Sequence, residues 1–287
     1  MNVLVVGSGK GSWEMRGQQL GGAIGARVSS SPSAEDWKWA SVAVLIKRAG
    51  FKYAALARQF NVPIVWDAVD FWSQPWDNGR PEEQARQILK ASLDAIRPAL
   101  TIGATEAMAE AAGGVYLPHH SWRGLKPVKP QEHVKVVTYQ GNPVYLGQWR
   151  PALVKACARR GWSFATAPDG TGDEPLYRSD ILVAFRDGLW DGWMCREWKS
   201  GVKLVNAIAA GRPMVTQPGA AWREIDPPGW AVDSEENLEA ALDHLTTLHA
   251  RTLVYEACMD LAPRYTLPAV AESFRGILSR VELSCPA

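Results

Sequence analysis

Short apolar runs alternate along this chain with longer amphipathic stretches, and no other feature constrains the fold as much. A strand buried on both faces reads as an unbroken apolar run, and the helix that returns the chain to the same sheet reads with a period near 3.6, so the alternation predicts parallel sheets built of βαβ units. In the first half, strands are expected at 2–6, 42–46, 63–66 (ending at Asp67), 100–103 and 114–117, with helices at 12–20, 52–60, 81–96 and 105–112. Residues 118–133 break the pattern, being basic, proline-bearing and without period, as linkers are. A second series follows, with strands at 134–139, 163–165, 181–185 and 213–216, and helices at 147–160, 202–210, 234–250 and about 269–281. The expected architecture is α/β, with two Rossmann-like domains facing a central cleft: 1–120, a linker at 121–133, a second domain at 134–270, and a closing helix and tail at 271–287.

Composition narrows the class. Hydrophobic residues make up 47% and charged residues 21%, which excludes a disordered or fibrous chain. Lysine and arginine total 31 against 30 acidic residues, so the net charge of +1 gives no global attraction to nucleic acid or membrane, and a polyanion would have to be held by a local patch. Cys157, Cys195, Cys258 and Cys285 form no C-x-x-C pair and read as reduced thiols. The start carries no basic leader and no apolar stretch approaches the roughly 18 residues of a membrane span, so a cytoplasmic protein without a membrane partner is expected. Most of the 14 tryptophans are expected in the core, although some could stack on sugars or bases.

Four segments carry candidate chemistry. Gly7-Ser8-Gly9-Lys10-Gly11-Ser12-Trp13 lies between the first strand and the first helix, where backbone amides can receive an anion. It is neither a P-loop, since Gly11 follows Lys10 where Ser or Thr is required, nor a complete dinucleotide fingerprint, since Ser12 takes the place of the third glycine. With Arg16 it reads as a cleft loop, and a tight turn needed only for packing is the plainer alternative. In 66–72, Asp67 at a strand end and Asp70 beyond it are candidate bases, with helix capping as their other explanation; two aspartates without a third ligand make a divalent metal unexpected. His119, at the domain junction, could orient a hydroxyl or take a proton if the domains clasp a ligand. Lys203 and Asn206 share one helix face that ends at Gly211, before a strand begun by Pro213.

The segment Lys203 to Thr216, followed by Glu224, resembles the donor-binding half of glycosyltransferases of the two-Rossmann-domain (GT-B) fold, with their K-x-x-N/E-A-x-A-x-G-x-P-x-V signature. The resemblance implies transfer of a sugar from a nucleotide-diphosphate donor such as UDP-glucose, with no resident cofactor. Lys203 would meet the diphosphate, Asn206 the ribose or sugar, and Glu224 sugar or ribose hydroxyls. Arg186 would be a second phosphate contact, and Gly141 and Asn142 would lie in the glycine-bearing turn that opens the donor domain. The glutamate pair of retaining members is absent, Trp198 and Asn206 standing in its places, so the stereochemical outcome stays open. The segment Lys10 to Gly17 resembles the N-termini of bacteriophage glycosyltransferases that modify hydroxymethylated pyrimidines, which implies DNA as partner and a host-cytoplasmic location. A saccharide or small-molecule acceptor, an NAD-dependent oxidoreductase and a non-catalytic nucleotide-binding protein are the alternatives.

Overall fold

The computed structural model describes residues 1–71, 80–167 and 174–284; Trp72 and Cys285 lie outside the described residues. Strands β1 (Val3–Val6), β2 (Arg27–Ser29), β3 (Val42–Ile46), β4 (Ile64–Val69), β5 (Leu100–Gly103) and β6 (Val115–Tyr116) form one sheet in the order β2-β1-β3-β4-β5-β6. All its pairings are parallel. Strands β7 (Val136–Gln140), β8 (Ser163–Ala167), β9 (Ile181–Ala184), β10 (Met214–Thr216) and β11 (Gly229–Ala231) form a second parallel sheet, in the order β11-β10-β9-β7-β8. Counted within its own domain, the first sheet runs 2-1-3-4-5-6 and the second 2-1-3-4-5, and in each the order reverses between the first and third strands. Crevices at such reversals, outside the carboxyl ends of the strands, are where open α/β sheets bind ligands.

The helices that bear on the site are α1 (Trp13–Leu20), α2 (Ala49–Gln59), α3 (Glu106–Ala111), α4 (Trp193–Glu197), α5 (Val202–Ala210), α6 (Ala220–Ile225) and α7 (Leu267–Ser284). α1 is wound as a π-helix, a form concentrated at functional sites. The three-residue β2 and the short α4 and α6 give too little pattern to be read from sequence. The helix expected at 234–250 is two helices, Glu235–His244 and Leu248–Leu261, because the Thr247 side chain accepts a hydrogen bond from Ala250 N and starts a new one. β4 runs through Asp67 to Val69, since Ala68 and Val69 continue its buried apolar run. Asp67 thus lies inside the strand, and Asp70 takes the place at its carboxyl end. α7 returns to the first domain, where Val270, Phe274, Ile277 and Leu278 pack with Val3, Val5, Val44 and Val65. Burying each such side chain contributes about 1.5–3 kcal/mol.

Two buried charge clusters position the cleft. Arg16, with no exposed surface, donates to the carbonyls of Leu117 at 2.5 Å and Pro118 at 3.2 Å, and lies 3.6 Å from Asp67. It ties α1 to the end of β6. Burial pushes the Asp67 carboxyl above its ordinary value, opposed by Arg16 and by a hydrogen bond from Val69 N. The second cluster joins the domains: Asp70 is ion-paired with Lys47 at 2.5 Å and with Lys199 of the second domain at 2.8 Å. Burial alone would raise the Asp70 carboxyl, but the ammonium groups of Lys199 and Lys47 outweigh it and hold the group well below the usual carboxylate range. Three further hydrogen bonds reinforce this seam. Ala107 N donates to Glu224 at 3.1 Å, Thr105 Oγ1 to the Glu197 carbonyl at 3.2 Å, and Trp122 N to Asn206 Oδ1 at 2.8 Å.

Removing one partner of a buried ion pair strands the other, so Arg16→Met should lower stability by about 3–5 kcal/mol in urea unfolding, against less than about 0.5 kcal/mol for Lys10→Ala on the exposed turn nearby. Because the folded Asp70 is more acidic than the unfolded one, its contribution is complete above the unfolded carboxylate pKa of about 4 and is lost as pH falls below it. Urea midpoints measured from pH 6 down to about 2.5 should fall more steeply for the native chain than for Asp70→Asn; parallel curves would remove Asp70 from the acid response.

Candidate active site

The carboxyl ends of both sheets open into one cavity of about 970 Å³ between the domains. From the first domain it is lined by the 8–15 turn, by Lys47 and Arg48 after β3, by Asp70 after β4, and by His119. From the second come Gly141 after β7, Arg186 after β9, Gln217 after β10, and Ser200, Gly201 and Lys203 at the start of α5. Among the described residues seven lysines and arginines line it against three carboxylates, in a chain whose net charge is +1. The positive field that the overall composition lacks is thus focused in the cleft.

Local sequence explains how each side chain is held. Gly9 and Gly11 take φ of +96° and +59°, open to glycine at no steric cost. A Cβ at Gly7 or Gly17 would overlap the Trp13 ring, so the two glycines let that tryptophan, only 7% exposed, anchor the turn from below. Gly141 sits at φ +136°, and a Cβ there would meet Lys203 Nζ at 3.0 Å. Lys203 in turn lies 4.1 Å from the centre of the Tyr139 ring, a cation–π contact that orients the ammonium. Arg186 stands 5.1 Å from the Tyr145 ring, and its backbone amide donates to Gln217 at 2.7 Å. Gly201, the residue that caps α5, offers no side chain to that helix's first amides, and residues 201–204 all line the cavity.

On the first-domain side the backbone is strained at the chemistry. Val69 and Phe71 flank Asp70 at φ +58° and +32°, and the β4–β5 register shifts between Asp67 and Val69. A branched residue at positive φ costs of order 1–3 kcal/mol and persists only where the surroundings impose it. His119 is 4% exposed and its Nδ1 has no hydrogen-bond partner among the described residues. Burial, with the Arg16 charge alongside, holds His119 well below the ordinary histidine value, leaving a neutral imidazole at pH 7. Cys195 also lines the cavity, but burial pushes its thiol up, away from nucleophilic use.

Of the residues expected at the site, Gly9, Lys10, Gly11, Ser12, Trp13, Asp70, His119, Gly141, Arg186, Lys203 and Asn206 line the cavity. Arg16, Asp67, Asn142 and Glu224 do not. Arg16 and Asp67 face each other beneath its floor, where substrate does not reach. Asn142 caps a single turn by accepting from Val144 N, and Glu224 turns away to the first amides of α3. Lys47, Arg48 and Lys199 belong to the site although sequence reasoning did not select them for it. The first two had a readable signal: cations directly after the buried run Val42–Ile46, at the end where α/β sheets hold ligands. Lys199 has none, since only the folded chain brings it to Asp70.

No protein-family model matches the chain, and no curated protein matches it in sequence. Solved structures do match in fold. One is a trehalose-6-phosphate synthase studied with bisubstrate glycomimetics, with TM-score 0.62, 10% identity, and 100% of each chain covered. Another is AviGT4, a glycosyltransferase involved in avilamycin A biosynthesis, with TM-score 0.56, 12% identity, and 99% of each chain covered. The chain spans only 54% of the matched chain in the accessory secretory protein 1, 2 and 3 structure from Streptococcus pneumoniae and 62% of that in the GtfA/B complex, both at TM-score 0.56. With two parallel α/β domains, a shared cleft and these structural neighbours, the chain has the GT-B glycosyltransferase fold.

Proposed function

We propose that this chain is a glycosyltransferase that moves a sugar from a nucleoside-diphosphate donor, UDP-glucose first among them, to a hydroxyl acceptor. One observation carries the reading: a lysine- and arginine-rich lining, two glycine turns and the start of α5 converge on one cleft, which suits a diphosphate leaving group. Lys203, Arg186 and the α5 amides take the diphosphate; Asn206, whose Oδ1 is engaged by Trp122 N, keeps its amide NH₂ for the ribose or sugar. As the bond from the anomeric carbon to the diphosphate oxygen breaks, its electron pair leaves with the nucleotide. The acceptor oxygen bonds to the same carbon and its proton passes to the neutral His119 imidazole or to Asp70. Asp67 serves the scaffold. Neutralisation by side chains makes a divalent metal dispensable, so EDTA should leave turnover intact.

The proposed acceptor is a 5-hydroxymethylpyrimidine in DNA. Support comes from a patch beside the cleft, where Arg48, Lys52 and Phe51, the last 53% exposed, project from the start of α2 and could meet phosphates and a base. The net charge of +1 favours a second reading, a saccharide or small-molecule acceptor. Where a dinucleotide fold carries an acidic residue, β2 ends in Ser29, which counts against NAD.

Isothermal titration with UDP, UDP-glucose, GDP-mannose and NADH tests the donor. Binding of one nucleotide sugar is expected, weakened at least about tenfold, or 1.4 kcal/mol, in Lys203→Ala; binding of NADH alone would overturn the transferase reading. His119→Ala should abolish transfer with donor affinity kept, and the pH–rate profile should lack a limb near 6.5, the ordinary histidine value. Glucose incorporation into hydroxymethylated, but not unmodified, duplex DNA is the expected acceptor result, and incorporation only into saccharides would select the second reading.

A further inference from the structure

We infer that the first-domain half of the cavity is a second anion subsite, distinct from that for the donor diphosphate, which takes a phosphate group borne by the acceptor. The inference rests on the transferase reading for the word acceptor; the subsite rests on its own geometry. Both sheets share the 2-1-3-4-5 order over their first five strands, and each carries similar equipment at its reversal point. In the second domain this is Gly141 after the first strand and Arg186 after the third; in the first domain it is Gly9 and Gly11 after the first strand and Lys47 and Arg48 after the third. Such turns direct successive amides at an anion. At the start of α1, Ser12 makes no side-chain capping bond, so the positive end of the helix dipole meets the turn uncapped, while Trp13 N and Met15 N donate to the Lys10 and Gly11 carbonyls.

Charge and burial separate this subsite from the donor's. On the first-domain side Lys10 and Arg48 line the cavity without an ion-pair partner among the described residues. His119 supplies the independent sign of a ligand: a polar side chain almost wholly buried, lining the cavity, with its Nδ1 unpartnered and within the influence of Lys47 and Asp70. An unsatisfied buried imidazole is costly unless something bound completes it. The turn already holds the protein's own anion loosely, since Gly11 N donates to the Glu14 carboxylate at 3.4 Å. A phosphate would displace it. A phosphate monoester on a sugar and the phosphodiester of a DNA nucleotide share this chemistry.

The experiment titrates inorganic phosphate into UDP-saturated protein at low salt. One further phosphate site is expected. The double variant Lys10→Ala/Arg48→Ala should lose at least tenfold in phosphate affinity while UDP affinity stays within twofold; both side chains are exposed and unpaired, so folding is not at stake. Glu14→Gln should tighten phosphate, and Lys203→Ala should weaken UDP alone. No phosphate binding beside UDP, or equal weakening of UDP and phosphate in the double variant, would overturn the subsite by showing that the turn serves the donor. If UDP itself does not bind, the transferase reading fails, and phosphate titration without UDP still decides the subsite. A hexose 6-phosphate and a four-nucleotide single strand then compete for the phosphate site. Competition by one names the source, and competition by neither removes the acceptor from the proposal.

Discussion

The Asp70 carboxylate can be buried only because two ammonium groups reach it, and they come from different domains. That single triad closes the cleft, brings Lys47 and Lys199 to its wall, and holds Asp70 ionised where β4 ends. The strained Val69 and Phe71 backbone on either side follows from it, since a relaxed strand end would carry the carboxylate elsewhere. Pairing also decides what Asp70 can do. A carboxylate so well matched is a poor proton acceptor until something draws a lysine away, whereas the unpartnered His119 beside it is available at once.

The fold was legible wherever elements were long or wholly apolar. Residues 42–46, 100–103 and 202–210 stand where the pattern put them, because a run with no polar alternation has no other stable place than the interior of a parallel sheet, and a helix that ends in Gly211 has a marked stop. Among the residues expected at the site, those on or beside such elements do line the cavity: Lys203 and Asn206 on α5, Arg186 after β9, and the glycine turn after β1. It was obscured where tertiary contact overrides local meaning. Asp67 and Arg16 look alike with Asp70 and Lys10 in sequence; only burial separates a structural pair from two cleft residues. Glu224 went astray because its helix, α6, is too short to read and its partner, the first turn of α3, is more than a hundred residues away.

Two domains with the same strand order but little shared sequence show how far topology alone dictates function. The reversal point fixes where an anion can approach; the side chains around it decide which one. In the second domain aromatic rings beneath Lys203 and beside Arg186 hold the cations in place, a rigid arrangement suited to a ligand of constant shape. In the first domain Lys10 and Arg48 are exposed and carry no ion pair among the described residues. Among the tryptophans, Trp37, Trp66 and Trp198 went to the core, Trp198 of the second domain packing against Phe71 of the first, whereas Trp122 and Trp222 stay half-buried at the cavity wall.

The return of α7 to the first domain has a consequence for the order of events during synthesis. The apolar face formed by Val3, Val5, Val44 and Val65 is translated early, but the helix that covers it comes last. At about 5–20 residues per second, on the order of ten seconds or more passes between the end of β6 and the arrival of α7, with the whole second domain translated in between. For that interval the nascent first domain carries an open hydrophobic face on the ribosome, a natural station for a chaperone, and it reaches its finished state only when the last helix docks.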